Sequence, residues 1–74
     1  MEKTKFNFNP HVGKRIVELR KKHNLSQKEL AEKIDMSASA LSRVENDHEM
    51  LWVSKMILMC DLFGLTPNEF LGIE

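Results

Sequence analysis

Apolar positions in the first third of the chain are spaced as they are in a helix. They recur at i, i+4 and i+7, which predicts one apolar stripe on a helix over roughly residues 10–23. Pro10 suits the first turn, because its φ is already helical and it has no amide hydrogen to place. Asn24 is expected to end the helix, since asparagine tolerates the left-handed conformation. The stripe consists of Val12, Ile16 and Leu19.

Two shorter amphipathic segments follow, and they predict helices at about 26–34 and 37–46. Ser26 with Glu29 three residues later is the pattern of a capping box, and Ser37 can cap the second of these helices. Only a tight turn fits between the two segments, which is typical of a helix-turn-helix. Their predicted inward residues are Leu30, Ala31, Ile34, Leu41 and Val44.

The last third of the chain predicts two further helices. One covers roughly residues 52–63 and ends at Gly64, although neither Leu51 nor Trp52 can cap its amides through a side chain. A short fifth helix, through about Leu71, has both of the usual start signals, a capping box and a proline in its first turn. These signals are supplied by Thr66, Pro67 and Glu69.

Strand-like alternation is confined to residues 5–9, so the chain is predicted to be all-α. A chain of 74 residues holds one small domain. We expect an N-terminal arm over residues 1–9 and a single five-helix domain over residues 10–72.

Composition excludes several classes of protein. The single cysteine permits no internal disulfide, and no apolar run reaches the length of a membrane span, so a soluble cytoplasmic protein is expected. The three histidines lie on separate elements, and no nucleophile–base pair or phosphate-binding loop is present. We therefore expect no enzymatic activity, no metal or other cofactor and no small-molecule ligand.

Net charge is zero, with 11 basic and 11 acidic residues, but the charge is unevenly distributed. Residues 3–28 have eight lysines and arginines against one glutamate, a net +7. Residues 49–74 have one base against four acids, a net −3. This asymmetry has two interpretations that charge alone does not separate. One is a polyanionic partner on the basic side, and the other is a solvated, charged helix surface.

A series of short motifs runs in one register through residues 12–71. In this register the chain resembles the Xre-type helix-turn-helix family, which includes the DNA-binding domains of the lambda and 434 repressors and of Cro. The resemblance implies a compact five-helix lambda-repressor-like fold, with the helix-turn-helix at the second and third helices. The matching motifs are Val12-Gly13-Lys14-Arg15-Ile16, Glu18-Leu19-Arg20, Leu25-Ser26-Gln27-Lys28-Glu29-Leu30-Ala31, Leu41-Ser42-Arg43-Val44-Glu45-Asn46 and Leu62-Phe63-Gly64-Leu65.

At three turns this chain has a small polar residue where the family usually has glycine. Asn24, Asp35 and Asp47 occupy these turns. Asparagine and aspartate adopt positive φ more readily than other non-glycine residues, so we expect the turns to be kept.

The resemblance also implies that the third helix lies in the major groove of DNA. Arg43 is the strongest candidate for base recognition, because a guanidinium can bond guanine O6 and N7 together. A surface salt bridge to Asp47, four residues later, is the alternative interpretation of Arg43. The base-contacting positions implied by the family are Ala38, Ser39, Ser42 and Arg43.

Phosphate contacts are implied mainly near the start of the second helix, where amide groups and the helix dipole favour anions. Arg20 has a mixed role, since with Glu45 it also matches a partly buried structural ion pair of the family. The implied phosphate-contacting residues are Gln27, Ser26, Lys28, Ser37, Arg20 and Lys14.

The fourth helix is apolar on both faces. Its predicted inward stripe is Val53, Met56, Ile57, Cys60 and Phe63. A small domain has no second layer to cover the opposite face, so we predict a dimer interface there. The alternative is that the arm covers this face with Phe6 and Phe8. The predicted interface comprises Leu51, Trp52, Leu58, Met59 and Leu62.

These features predict a sequence-specific transcriptional regulator, a repressor or controller protein that binds double-stranded DNA as a homodimer. The chain ends about where the DNA-binding domain ends, so regulation through concentration and dimerisation is expected rather than through an effector domain. The alternative is an antitoxin-like protein-interaction module that binds a partner through the fourth helix.

Overall fold

The computed structural model describes residues 12–72, and these form five α-helices with no strand among them. The predicted all-α, five-helix fold is confirmed, and the observed bounds differ from the predicted ones by about one residue. The exception is the start of the first helix, because the arm and Pro10, which was expected in the first turn, lie outside the described residues. The helices are α1 (Val12–Lys22), α2 (Gln27–Lys33), α3 (Ala38–Glu45), α4 (Val53–Phe63) and α5 (Pro67–Leu71). None of these helices has both the length and the apolar character needed to cross a membrane.

Both predicted capping boxes are confirmed. At the start of α2, Ser26 Oγ accepts a hydrogen bond from the Glu29 amide at 3.0 Å, and the Ser26 amide donates to Glu29 Oε1 at 2.8 Å. The hydrogen bond from the Ser26 amide is the main cause that lowers the pKa of the Glu29 carboxyl, because it stabilises the charged form. Thr66 and Glu69 make the same reciprocal pair at the start of α5, at 3.1 and 2.9 Å.

The turns after α1, α2 and α3 each contain one residue in the left-handed conformation. Asn24, Asp35 and Asp47 have φ of 58°, 60° and 61°, as expected for positions at which the family usually has glycine. In the tight α2–α3 turn, Asp35 is followed by Met36, whose amide donates to Ala31 O at 2.8 Å. This bond closes the end of α2 and lets α3 begin at once.

The core lies between α1, α2, α3 and the inner side of α4, and α5 closes it. The inward residues predicted for α2 and α3 are all buried, as are Ile16 and Leu19 of α1. Phe70 is also fully buried, although the sequence pattern did not assign it to the core. Burial raises the pKa of the Cys60 thiol, which lies in this core. The buried apolar residues are Ile16, Leu19, Leu30, Ala31, Ile34, Leu41, Val44, Met59, Cys60, Phe63 and Phe70.

The rotation of α4 about its axis differs from the prediction. Val53 and Ile57, expected to face inward, are 66% and 54% exposed, whereas Met59, expected outside, is fully buried. Because α4 is apolar on most of its circumference, periodicity alone did not determine which side packs. In the structure Met59 packs with Cys60 and Phe63, and a long flexible methionine fills irregular core space well.

Arg15 ties α1 to the end of α5. Its Nε donates to Phe70 O and one terminal nitrogen to Glu69 O, both at 2.9 Å. Carbonyls in the last turn of a helix lack helical partners, so a guanidinium placed there satisfies them. This contact holds α5, and with it Phe70, over the core.

Candidate nucleic-acid interface

The outward face of α3 displays the four residues predicted to contact bases. Ala38, Ser39 and Arg43 are exposed and Ser42 is half-buried, while Leu41 and Val44 on the other side of the helix lie in the core. Ser37 caps this helix, since its Oγ accepts a hydrogen bond from the Ala40 amide at 3.1 Å. The exposed face therefore begins with small side chains, and the helix backbone can approach another surface closely.

Arg43 forms a salt bridge, but with a different partner from the one considered in the sequence. Its Nε donates to Glu49 Oε1 at 2.8 Å, and no bond to Asp47 is formed. The side chains are 52% and 39% exposed, so the pair lies at the surface. Asp47 lies beyond the end of α3, and the helical i, i+4 spacing therefore does not apply to it.

Four of the residues predicted to contact phosphate surround the start of α2 and α3. Ser26, Lys28 and Ser37 are exposed, and Gln27 is half-buried. The two serine oxygens accept the capping hydrogen bonds described above, and a hydroxyl such as that of Ser37 can still donate its own hydrogen to an anion. Lys14, the fifth such residue, is exposed on α1.

Glu45 is buried and is the centre of a partly buried polar cluster. Arg20 Nε donates to Glu45 Oε2 at 2.8 Å, and a terminal nitrogen of Arg20 donates to Oε1 at 3.2 Å. Gln27 Nε2 donates to the same Oε1 at 2.7 Å. A bidentate arginine–carboxylate pair of this kind is a strong hydrogen-bonding arrangement. The cluster joins α1, the start of α2 and the end of α3, so it fixes the position of Gln27 relative to the exposed face of α3.

Arg20 is a structural residue in this arrangement. Its third nitrogen donates to Leu25 O at 3.1 Å, so each guanidinium nitrogen has a partner within the protein. The Arg20 side chain is only 13% exposed, and that of Glu45 only 3%. The geometry matches the structural ion pair that the resemblance implied. It argues against the phosphate contact also predicted for Arg20, because little of the guanidinium can be reached.

A second surface of interest is the exposed side of α4. Five large apolar residues are exposed there, and we call them the α4 patch: Trp52, Val53, Ile57, Leu58 and Leu62. Trp52, at 70%, is the most exposed of them.

Two residues of the predicted dimer interface do not belong to the α4 patch. Met59 is fully buried, so its assignment to the interface is wrong. Leu51 is half-buried and packs against the core. Val53 and Ile57 belong to the α4 patch instead. The sequence did not indicate them, because both were assigned to the inward stripe. The alternative cover, Phe6 and Phe8 of the arm, lies outside the described residues.

Comparison with known proteins gives one family match. A sequence model of the helix-turn-helix family matches residues 16–70. Similar proteins include the HTH-type transcriptional regulator PuuR of Escherichia coli (strain K12), 34% identical over 78% of this chain. Antitoxin PezA of Streptococcus pneumoniae serotype 4 is 33% identical over 82% of it. The HTH-type transcriptional regulator RamB of Mycobacterium tuberculosis is 32% identical over 81% of it. The matched part covers 31%, 39% and 13% of these three proteins, respectively.

Proposed function

We propose, from the premise that this chain belongs to the Xre-like helix-turn-helix family, that it regulates transcription. It does so by binding double-stranded DNA through α3. The observation that carries the proposal is the exposed face of α3, which displays Ala38, Ser39 and Arg43. Two relatives are described as transcriptional regulators, which supports the same function. The fold gives α3 a rigid base, because Leu41 and Val44 are buried beneath it.

Each exposed residue of α3 has a distinct part in this proposal. Arg43 reads guanine, because its guanidinium can donate to O6 and N7 together. Ser39 and Ser42 bond base edges with little selectivity, and Ala38 contacts a thymine methyl. The residues that touch phosphate are Ser26, Gln27, Lys28, Ser37 and Lys14, and such contacts position the protein without reading sequence.

Binding to DNA is expected to fall with rising salt, because each neutralised phosphate releases counterions. Fluorescence anisotropy with a duplex of random sequence should show binding below 100 mM salt, with a Kd typical of phosphate contacts alone. Lys28→Ala should lower the slope of log K against log salt by about 1. Lys33→Ala, at the other end of the same helix, is the matched control and should change the slope less.

Two outcomes would contradict parts of this proposal, the first DNA binding itself and the second the role of Arg43. One is no salt-dependent association of the parent protein with any duplex at low salt. The other concerns the assignment of Arg43: an Arg43→Ala variant that separates selected from random DNA as well as the parent would remove Arg43 as the base reader.

The regulator is further proposed to act as a homodimer that forms through the α4 patch. Five exposed large apolar side chains on and just before one short helix favour an interface, and none of the five is covered by the described residues. A two-fold dimer would place two copies of α3 on half-sites about 34 Å apart. Occupying such a site would repress transcription by excluding polymerase.

Leu58→Glu should convert the dimer to a monomer, because it places a charge within the proposed interface. Sedimentation equilibrium at high micromolar concentration measures this directly. Asn68→Glu adds the same charge at an exposed position of α5 and should leave the dimer intact. A parent protein that sediments as a monomer, with no change on Leu58→Glu, would contradict the dimer.

A second candidate function is an antitoxin-like module that uses the α4 patch to bind another protein. The exposed patch itself and an antitoxin among the relatives favour it. The same variants separate the two functions. A monomeric parent whose DNA binding is unaffected by Leu58→Glu is the result that this candidate predicts.

A further inference from the structure

We propose that Glu49 positions Arg43 for guanine recognition and so sets the sequence preference of α3. The inference rests on the proposed function and adds a residue from outside the recognition helix to it. Its basis is the hydrogen bond from Arg43 Nε to Glu49 Oε1 at 2.8 Å, together with the fold of the loop that brings Glu49 there.

The loop after α3 turns back towards Arg43. Asp47 adopts the left-handed conformation with φ of 61°, and the His48 amide donates to Arg43 O at 2.8 Å. This bond spans the helix end in the manner of a Schellman motif and reverses the chain direction. Glu49 is the next residue, and it therefore lies beside the Arg43 side chain.

The hydrogen bond to Glu49 uses Nε of Arg43 and leaves its two terminal nitrogens available to DNA. Glu49 holds Nε, and within residues 12–72 neither terminal nitrogen of Arg43 has a hydrogen-bond partner. Those two nitrogens are a pair that can donate to guanine O6 and N7 together. A long side chain held by its Nε also loses less conformational freedom when it binds. Glu49 thus prepares Arg43 for an end-on contact with a guanine.

The charge of Glu49 acts in the same direction. A carboxylate close to the DNA surface repels phosphate, so it weakens binding wherever Arg43 finds no guanine to compensate. Specificity is a difference between affinities, and a repulsive element against the wrong sequence increases it. An exposed ion pair adds little to folding stability, so the role of this one lies in recognition.

Selection of bound sequences from a duplex library with a random centre tests the proposal. The parent should select a site with a conserved G·C pair, and Arg43→Ala should lose the preference at that pair. Glu49→Ala should lose the same preference, with the ratio of random-duplex to selected-duplex Kd falling by about 5-fold or more. Glu49→Gln, which keeps an acceptor for Nε, should retain part of it. Glu32→Gln removes an exposed carboxylate on α2 and should leave the ratio unchanged.

The double variant and the parent separate the possible failures. In the Arg43→Ala background, Glu49→Ala should have no further effect on the ratio, because the two residues act as a unit. If Glu49→Ala tightens binding to selected and random duplexes equally, Glu49 only repels DNA and the positioning role is overturned. A parent that selects no sequence overturns the proposed function, and the role of Glu49 with it.

Discussion

Replacing Glu45 with alanine is expected to lower the free energy of unfolding by about 3–5 kcal/mol, which is the usual cost of breaking a buried ion pair. The variant keeps the Arg20 guanidinium in a site where only 13% of its side chain is exposed, and it removes the carboxylate that accepts two of its hydrogen bonds. Gln27 loses its acceptor as well. Urea denaturation followed by far-ultraviolet circular dichroism measures the loss.

A domain of this size has a free energy of unfolding of about 5 kcal/mol or slightly more. Glu45→Ala should therefore be largely unfolded at modest urea concentration. Removing both charges together tests the cause. The double variant Arg20→Met with Glu45→Leu should recover most of the stability, because neither group is then left buried without a partner. Glu32→Ala, at an exposed position on α2, is the control and should change stability by at most about 0.5 kcal/mol.

The prediction for Glu45→Ala is contradicted if its free energy of unfolding lies within about 1 kcal/mol of that of the parent. Arg20 would then have found water or another acceptor at little cost. That outcome would also weaken the structural assignment of Arg20 and reopen a phosphate contact for it. Gln27→Ala removes only the hydrogen bond from Gln27 to Glu45. It should lower the free energy of unfolding by about 1 kcal/mol.

The helices were predictable because their signals are local. The capping boxes at Ser26–Glu29 and Thr66–Glu69 require only residues three positions apart, and each is formed as predicted. The positive φ of Asn24, Asp35 and Asp47 likewise follows from the chemistry of single residues at turns.

What the sequence did not determine depends on neighbours in space. The side of α4 that packs was assigned wrongly, because Val53 and Ile57 are as apolar as Met59 and only the shape of the core distinguishes them. The partner of Arg43 was missed because it belongs to the loop after α3, which folds back through the turn at Asp47. No residue spacing within a helix encodes that contact.

The close approach of α1 to the end of α3 was also invisible in the sequence, where Gly13 is one residue of a motif. Gly13 is buried, and a Cβ added to it would lie 2.7 Å from Asp47 Oδ1 and 2.8 Å from Val44 O, with Glu45 O closer still. The obstructing atoms include two backbone carbonyls at the end of a helix, which cannot move aside independently. Only glycine therefore fits at this crossing.

Gly13→Ala is expected to lower the free energy of unfolding by about 1–3 kcal/mol, the typical cost of overpacking a core. Helix propensity alone predicts the opposite sign, since alanine in a helix is favoured over glycine by about 1 kcal/mol. Thermal or urea unfolding therefore distinguishes the two effects by sign and not only by size. A Gly13→Ala protein that is as stable as the parent, or more stable, would show that α1 and α3 can separate at no cost.

Lys14→Ala is the matched control, because Lys14 is the next residue of α1 and its side chain is exposed. It should leave stability within about 0.5 kcal/mol of the parent. Any displacement of α1 at Gly13 also reaches the Arg20–Glu45 pair, which joins the same two helices. The effects of Gly13→Ala and of the double variant Arg20→Met with Glu45→Leu should accordingly be non-additive when combined, by about 0.5 kcal/mol or more. Additive effects would mean that the crossing and the ion pair hold α1 against α3 independently.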